Sequence, residues 1–191
     1  MSAFSLDTSG TLWSGQIIVD ENVRSYQAVD ANTIFILGTD GNLWYTPAPF
    51  DGHVPNPNRI LVDMQVDSFQ AMNADTVFVR GTNGALFYTP APFGQAPNPK
   101  RLLVDLQVKS FKAFDTNTVF VLGTNGGFFY TPAPFGQAPN PKRLHIEDNV
   151  IYFWIITANQ VKVTTPKHLY MIPAPFGQVP NPNRKELAYY L

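Results

Sequence analysis

Phenylalanine, asparagine and arginine recur together four times in this chain, as Phe50, Asn56 and Arg59, as Phe93, Asn98 and Arg101, as Phe135, Asn140 and Arg143, and as Phe176, Asn181 and Arg184. A flat apolar ring beside a planar amide and a planar guanidinium is a combination that suits sugars. The ring covers the C–H face, and the amide and the fork of N–H donors pair with adjacent hydroxyls. These twelve residues are the candidate ligand-binding set, and glycans are the expected partner. The same residues also admit a structural reading, in which the ring plugs a cleft and the arginine bonds a neighbouring carbonyl. Sequence alone leaves both readings standing.

Catalytic chemistry is poorly represented. His53, His145 and His168 fall at unrelated places in the pattern, so no repeated metal site is expected. Asp63 and Asp105 recur at one position, where a carboxylate most simply caps a turn. No nucleophile elbow, HExxH, P-loop or dinucleotide fingerprint occurs. The expectation is a non-enzyme without cofactor or metal.

All but one of the 17 prolines fall in four clusters, at 47–57, 90–99, 132–141 and 173–182; Pro166 is the exception. They mark a repeat of about 42 residues. The copies run 23–65, 66–107, 108–149 and 150–191. A shortened copy, Ala3–Asn22, precedes them and lacks the proline segment. Its Gly10-Thr11-Leu12-Trp13 matches Gly41-Asn42-Leu43-Trp44.

Each copy reads as four short strands. In the second, Ser68–Met72, Thr76–Arg80, Leu86–Thr89 and Arg101–Asp105 are separated by the turns Asn73-Ala74-Asp75 and Gly81-Thr82-Asn83-Gly84 and by the proline loop. The Thr-Val-Phe-Val runs are apolar on both faces, as strands between two layers must be. Four strands per unit at this period predict an all-β, five-bladed β-propeller of four-stranded repeats, residues 1–191 forming a single domain. A four-bladed propeller with an N-terminal extension is the alternative. One blade is a strand short, and either Leu187–Leu191 supplies that strand or the blade stays three-stranded. Trp13 and Trp44 share one third-strand position and are expected to pack within blades; Trp154, in a first strand, is expected to face the core.

The frame from Thr46-Pro47 to Arg59, repeated from Thr89-Pro90 to Arg101 and from Thr131-Pro132 to Arg143, resembles that of tachylectin-type lectins. Those lectins are five-bladed propellers with the same order of strands, Gly-containing turn and long loop, and the fragment Ala3–Asn22 is similar to theirs in beginning within a blade. Tectonin-like propellers share the short repeat. The resemblance implies a carbohydrate-binding lectin, with amino sugars or galactosides as candidate ligands. It carries over the arginine and the asparagine only, because Pro-Asn-Pro stands where that family has Asp-Asn-Trp. The competing class is a protein-interaction propeller that binds no sugar.

Copies three and four show where selection acted. Over Val150–Ile172 the fourth keeps only Val150, Phe153, Asn159, Val161 and Val163 of the third, whereas over Pro173–Arg184 it keeps all but Val179 and Asn183. Exposed loops normally drift faster than the sheets they join. The loop is therefore either a stiff, polyproline-like strap or a rigid pocket wall, and four loop-bearing copies should present four equivalent sites.

Net charge is −1 with 14% charged residues, which excludes the basic surface that nucleic acid selects. Apolar residues at 45% suffice for a packed core, and cysteine is absent. No stretch nears the ~18 apolar residues of a membrane span, and the N-terminus lacks a basic start and apolar run. A cytoplasmic protein, or one released without a classical signal peptide, is expected, with oligomerisation left open.

Overall fold

The structure is a computed structural model that describes residues 4–189. Its regular elements are all strands. The first sheet contains β1 (Phe4–Leu6), β2 (Leu12–Ser14) and β3 (Ile17–Asp20). The second contains β4 (Val23–Ala28), β5 (Thr33–Gly38), β6 (Leu43–Pro47) and β7 (Ile60–Asp63). The third contains β8 (Val66–Asn73), β9 (Thr76–Gly81), β10 (Leu86–Pro90) and β11 (Leu102–Asp105). The fourth is built from β12 (Val108–Asp115), β13 (Thr118–Gly123), β14 (Phe128–Pro132) and β15 (Leu144–Glu147). The fifth is built from β16 (Tyr152–Thr157), β17 (Gln160–Thr164), β18 (His168–Pro173) and β19 (Lys185–Tyr189). Within each sheet the strands follow chain order, the up-and-down meander of a propeller blade. The four-bladed alternative fails, because Phe4–Asp20 forms a sheet of its own. That sheet keeps three strands, and β19 completes the fifth instead; Ala3, Tyr190 and Leu191 lie outside the described residues.

Two compact units make up the chain. One runs to Thr82 and includes Phe87–Leu102; the other comprises Asn83–Leu86 and the chain from Leu103 onward. In the first, Phe35, Leu37, Val62, Val77 and Val79 form one core and Leu12, Val19, Val23, Ile34 and Ile36 another. In the second, Phe120, Phe128, Ile146, Val161, Val163 and Ile172 pack together. The second strands β5, β9 and β13 are buried on both faces over Ile34–Leu37, Val77–Val79 and Val119–Leu122, as their unbroken apolar runs require.

Successive sheets are tied by one repeated bond. The amide of Val23 donates to the carbonyl of Gly10, Val66 to Gly41, Val108 to Gly84 and Val150 to Gly126, at 2.8–2.9 Å. The accepting glycines have φ of +79° to +84°, and a Cβ at Gly126 would stand 3.3 Å from the Asn149 Cα. Only glycine reaches that conformation without strain, so one turn in each sheet both closes a hairpin and docks the next strand.

The first sheet has no proline loop, and its turn is held by Asp7. That carboxylate accepts from the Ser9 hydroxyl and amide, the Thr11 amide and the Trp13 indole. These donors favour the ionised form and hold the carboxyl well below the usual range. Trp13 thus packs within its sheet, as expected, and also has a polar partner. Trp154 departs from expectation: it is 43% exposed, edge-on to Tyr152 and beneath the Lys162 ammonium.

Candidate functional site

The proline loops fold back on themselves rather than running as extended polyproline straps. Asn98 is 2% exposed, and its Nδ2 donates to the carbonyls of Pro90 and Pro92 at 2.9 and 3.1 Å while its Oδ1 accepts the Lys100 amide. Asn140 and Asn181 do the same with Pro132 and Pro134, and with Pro173 and Pro175; Asn56 donates to Pro49. Both amide hydrogens are spent on the loop wherever both bonds form, which removes this side chain from ligand chemistry. Two cis X-Pro bonds occur in each loop.

Phe50, Phe93 and Phe176 of the loops pack onto the preceding sheet. Phe50 meets Phe4 edge-on at 5.4 Å, Phe93 lies against Phe35 and Tyr45, and Phe176 against Phe120 and Tyr130. Phe135 lines a cavity of about 380 Å³ within its own loop, with Gln137 and Asn140. The glycine after the ring anchors the loop to the preceding fourth strand: Gly94 donates to Leu61, Gly136 to Leu103 and Gly177 to His145. Their φ values, +107° to +120°, are closed to other residues.

The arginines do something the local sequence did not announce. Arg59, Arg101 and Arg143 each direct Nη1 to the buried aspartate ending the previous copy, Asp20, Asp63 and Asp105, at 3.1–3.2 Å; Arg184 reaches Glu147 at 2.7 Å. The aspartates also cap the following amide, as their recurrence suggested. Each guanidinium lies over the ring of its own third strand: Trp44, Phe87, Phe129 and Tyr170, 4.1–4.5 Å from the centroid. Ion pair and ring fix the guanidinium plane. Among the hydrogen bonds of the described residues only Nη1 is engaged, so Nε and Nη2 remain available to an acceptor.

Open cavities adjoin this assembly in both units. In the first, about 340 Å³ is enclosed by Asp20, Glu21 and Asn22 from one sheet and by Thr39, Trp44 and Arg59 from the next, with Val54 and Pro55 of the loop as an apolar wall. In the second, about 330 Å³ is enclosed by Glu147, Asp148, Asn149, Thr165, Tyr170 and Arg184. Asp20 corresponds to Glu147, Glu21 to Asp148, Asn22 to Asn149, Trp44 to Tyr170 and Arg59 to Arg184, while Val54 and Pro55 line the first cavity alone and Lys167 and His168 the second alone. Asn22 and Asn149, with Gln65 and Gln107 between them, all have φ of +54° to +56°, which turns the chain into the next sheet. The rims differ: Glu21 and Asp148 carry charge where Met64 and Leu106 stand exposed.

Of the twelve expected residues, Arg59 and Arg184 line a cavity in this arrangement, Arg101 and Arg143 make the same ion pair and ring contact, the asparagines turn inward, and Phe50, Phe93 and Phe176 serve as plugs. The missed residues are Asp20, Glu21, Asn22, Glu147, Asp148 and Asn149. Their signal was an acid, a variable residue, Asn or Gln, then Val at the end of each copy. Among the described residues no three His, Asp or Glu side chains gather to hold a metal ion.

Solved structures show the same architecture. The chain aligns with the N-terminal domain of Nup159 at TM-score 0.55 and 11% identity, covering 82% of this chain and 46% of that one. It aligns with human WBSCR16 at TM-score 0.52 and 13% identity, covering 87% and 51%. The chain therefore spans about half the length of these structures. At such identities the likeness speaks for fold alone: a β-propeller, here with five blades. No protein-family model matches the chain, and no curated protein does.

Proposed function

We propose that this propeller binds carbohydrate, in pockets where a fourth strand meets the next third strand rather than in the proline loops. The observation that carries the reading is the recurrence of one cavity, of about 340 and 330 Å³, at equivalent places in the two units. Cavities from about 300 Å³ upward accommodate small ligands. The lining pairs acceptors (Glu21 or Asp148) with fixed donors on Arg59 or Arg184 and an amide on Asn22 or Asn149. Hydroxyls both donate and accept, so adjacent sugar hydroxyls can satisfy such neighbours together. Two weak sites on one chain would act through avidity on a branched or clustered glycan.

A glycan array tests this directly. Binding to clustered glycans, competed by one free monosaccharide that titrates at about two equivalents per chain, is the expected result. Silence across the array favours a protein-interaction propeller instead.

A further inference from the structure

A further cavity, of about 340 Å³, opens between the first strands β12 and β16 of the second unit. Ser110, Phe111 and Lys112 form one wall, and Tyr152 to Ile155 the other. The corresponding strands of the first unit, β4 and β8, are sealed by side chains. Arg24 donates to the carbonyls of Val66 and Asp67. Gln27 donates to the Ala71 carbonyl at 2.7 Å and accepts the Ala71 amide at 2.8 Å. Counting from Val23 and Val108, Lys109 and Lys112 take the places of Arg24 and Gln27. An ammonium has no acceptor, so Lys112 cannot repeat the two-way amide bond. Counting from Val150, Tyr152 and Trp154 replace a serine and a glutamine, and the two residues are 58% and 43% exposed.

The chemistry of this cleft is one-sided. Lys112 lines it, and the Lys162 ammonium on β17 stands over the Trp154 ring at 5.2 Å. Asp115, at the far end of β12, is the lone carboxylate of β12, β16 and β17, and it already accepts the Asn117 amide. A sugar fits poorly, because the lining holds neither carboxylate nor carboxamide to pair its hydroxyls. We propose that the β12–β16 cleft binds a small amphipathic anion, an aromatic carboxylate, its ring against Trp154 and its charge at Lys112. Aromatic surface supplies contact area and cationic side chains select the sign of charge.

Calorimetric titration of the full chain with 2-naphthoate, and with the neutral 2-naphthamide, tests the assignment. The expected result is a single saturable equivalent of naphthoate and weaker binding of the amide. Lys112→Glu should weaken naphthoate roughly five- to tenfold, as loss of an exposed charge pair followed by repulsion implies, and leave the amide unchanged. Trp154→Ser, at an exposed position, should weaken both. Equal affinity for acid and amide, binding that survives Trp154→Ser, or no binding would overturn the proposal. So would a dimer in sedimentation that Trp154→Ser dissolves, since it would give the patch to a second copy of the chain.

Discussion

The proline loops and the arginine pockets are both repeated, but they repeat differently. From Pro173 to Arg184 the loop matches its predecessor at all but two positions, and its Asn181 is turned inward. The pockets keep an acid, an arginine and an aromatic ring, while the rim changes from Glu21 to Met64, Leu106 and Asp148. Sameness across copies follows from geometric demand. A buried asparagine bonding two carbonyls, a glycine at positive φ and a ring filling a set space each admit one residue type. Strands that need only apolar volume can change freely, as the fifth sheet has. If the pockets bind as proposed, ligand selectivity belongs where the frame is held and the rim varies.

The sharpest way to break this contrast is at the plug. Phe93→Ala should destabilise the protein by about 3 kcal/mol in denaturant unfolding, the low end for a phenylalanine that is packed but only half-buried. Unchanged stability would return the ring to the surface and revive the loop as a binding wall. Asn98→Ala should cost about 2 kcal/mol, because it strands the Pro90 and Pro92 carbonyls and the Lys100 amide. A stable Asn98→Ala protein with weakened glycan binding would contradict the inward assignment. The smallest effect has the opposite sign. The hydroxyls of Thr46, Thr89 and Thr131 are fully buried without a hydrogen-bond partner, and the fifth sheet places Ile172 at the same position. Thr89→Val should therefore raise stability by roughly 1 kcal/mol, seen as a higher denaturation midpoint.

Much of the architecture was legible because it is local. The period, the Gly41, Gly84 and Gly126 turns and the apolar second strands are all written within one copy. The site was less so. Arg101 and Asp63 are 38 residues apart in different copies, and nothing near either announces the pair. Pro-Asn-Pro reads equally as an exposed turn or a buried clasp, since its meaning lies in carbonyls six and eight residues earlier. Trp154 misled because Tyr152–Thr157 is apolar on both faces, so alternation could not say which one points outward.

Affinity for the sugar chosen by the array, measured on two variants, tests most directly whether the pockets or the loops bind. One variant combines Glu21→Gln with Asp148→Asn, exposed residues at the pocket rims; the other combines Gln95→Ala, Gln137→Ala and Gln178→Ala, exposed residues of the loops. Loss of two charged hydrogen-bond acceptors should weaken the rim variant about tenfold or more and leave the loop variant at wild-type affinity. The reverse pattern, a silent rim and a weakened loop, would contradict the account.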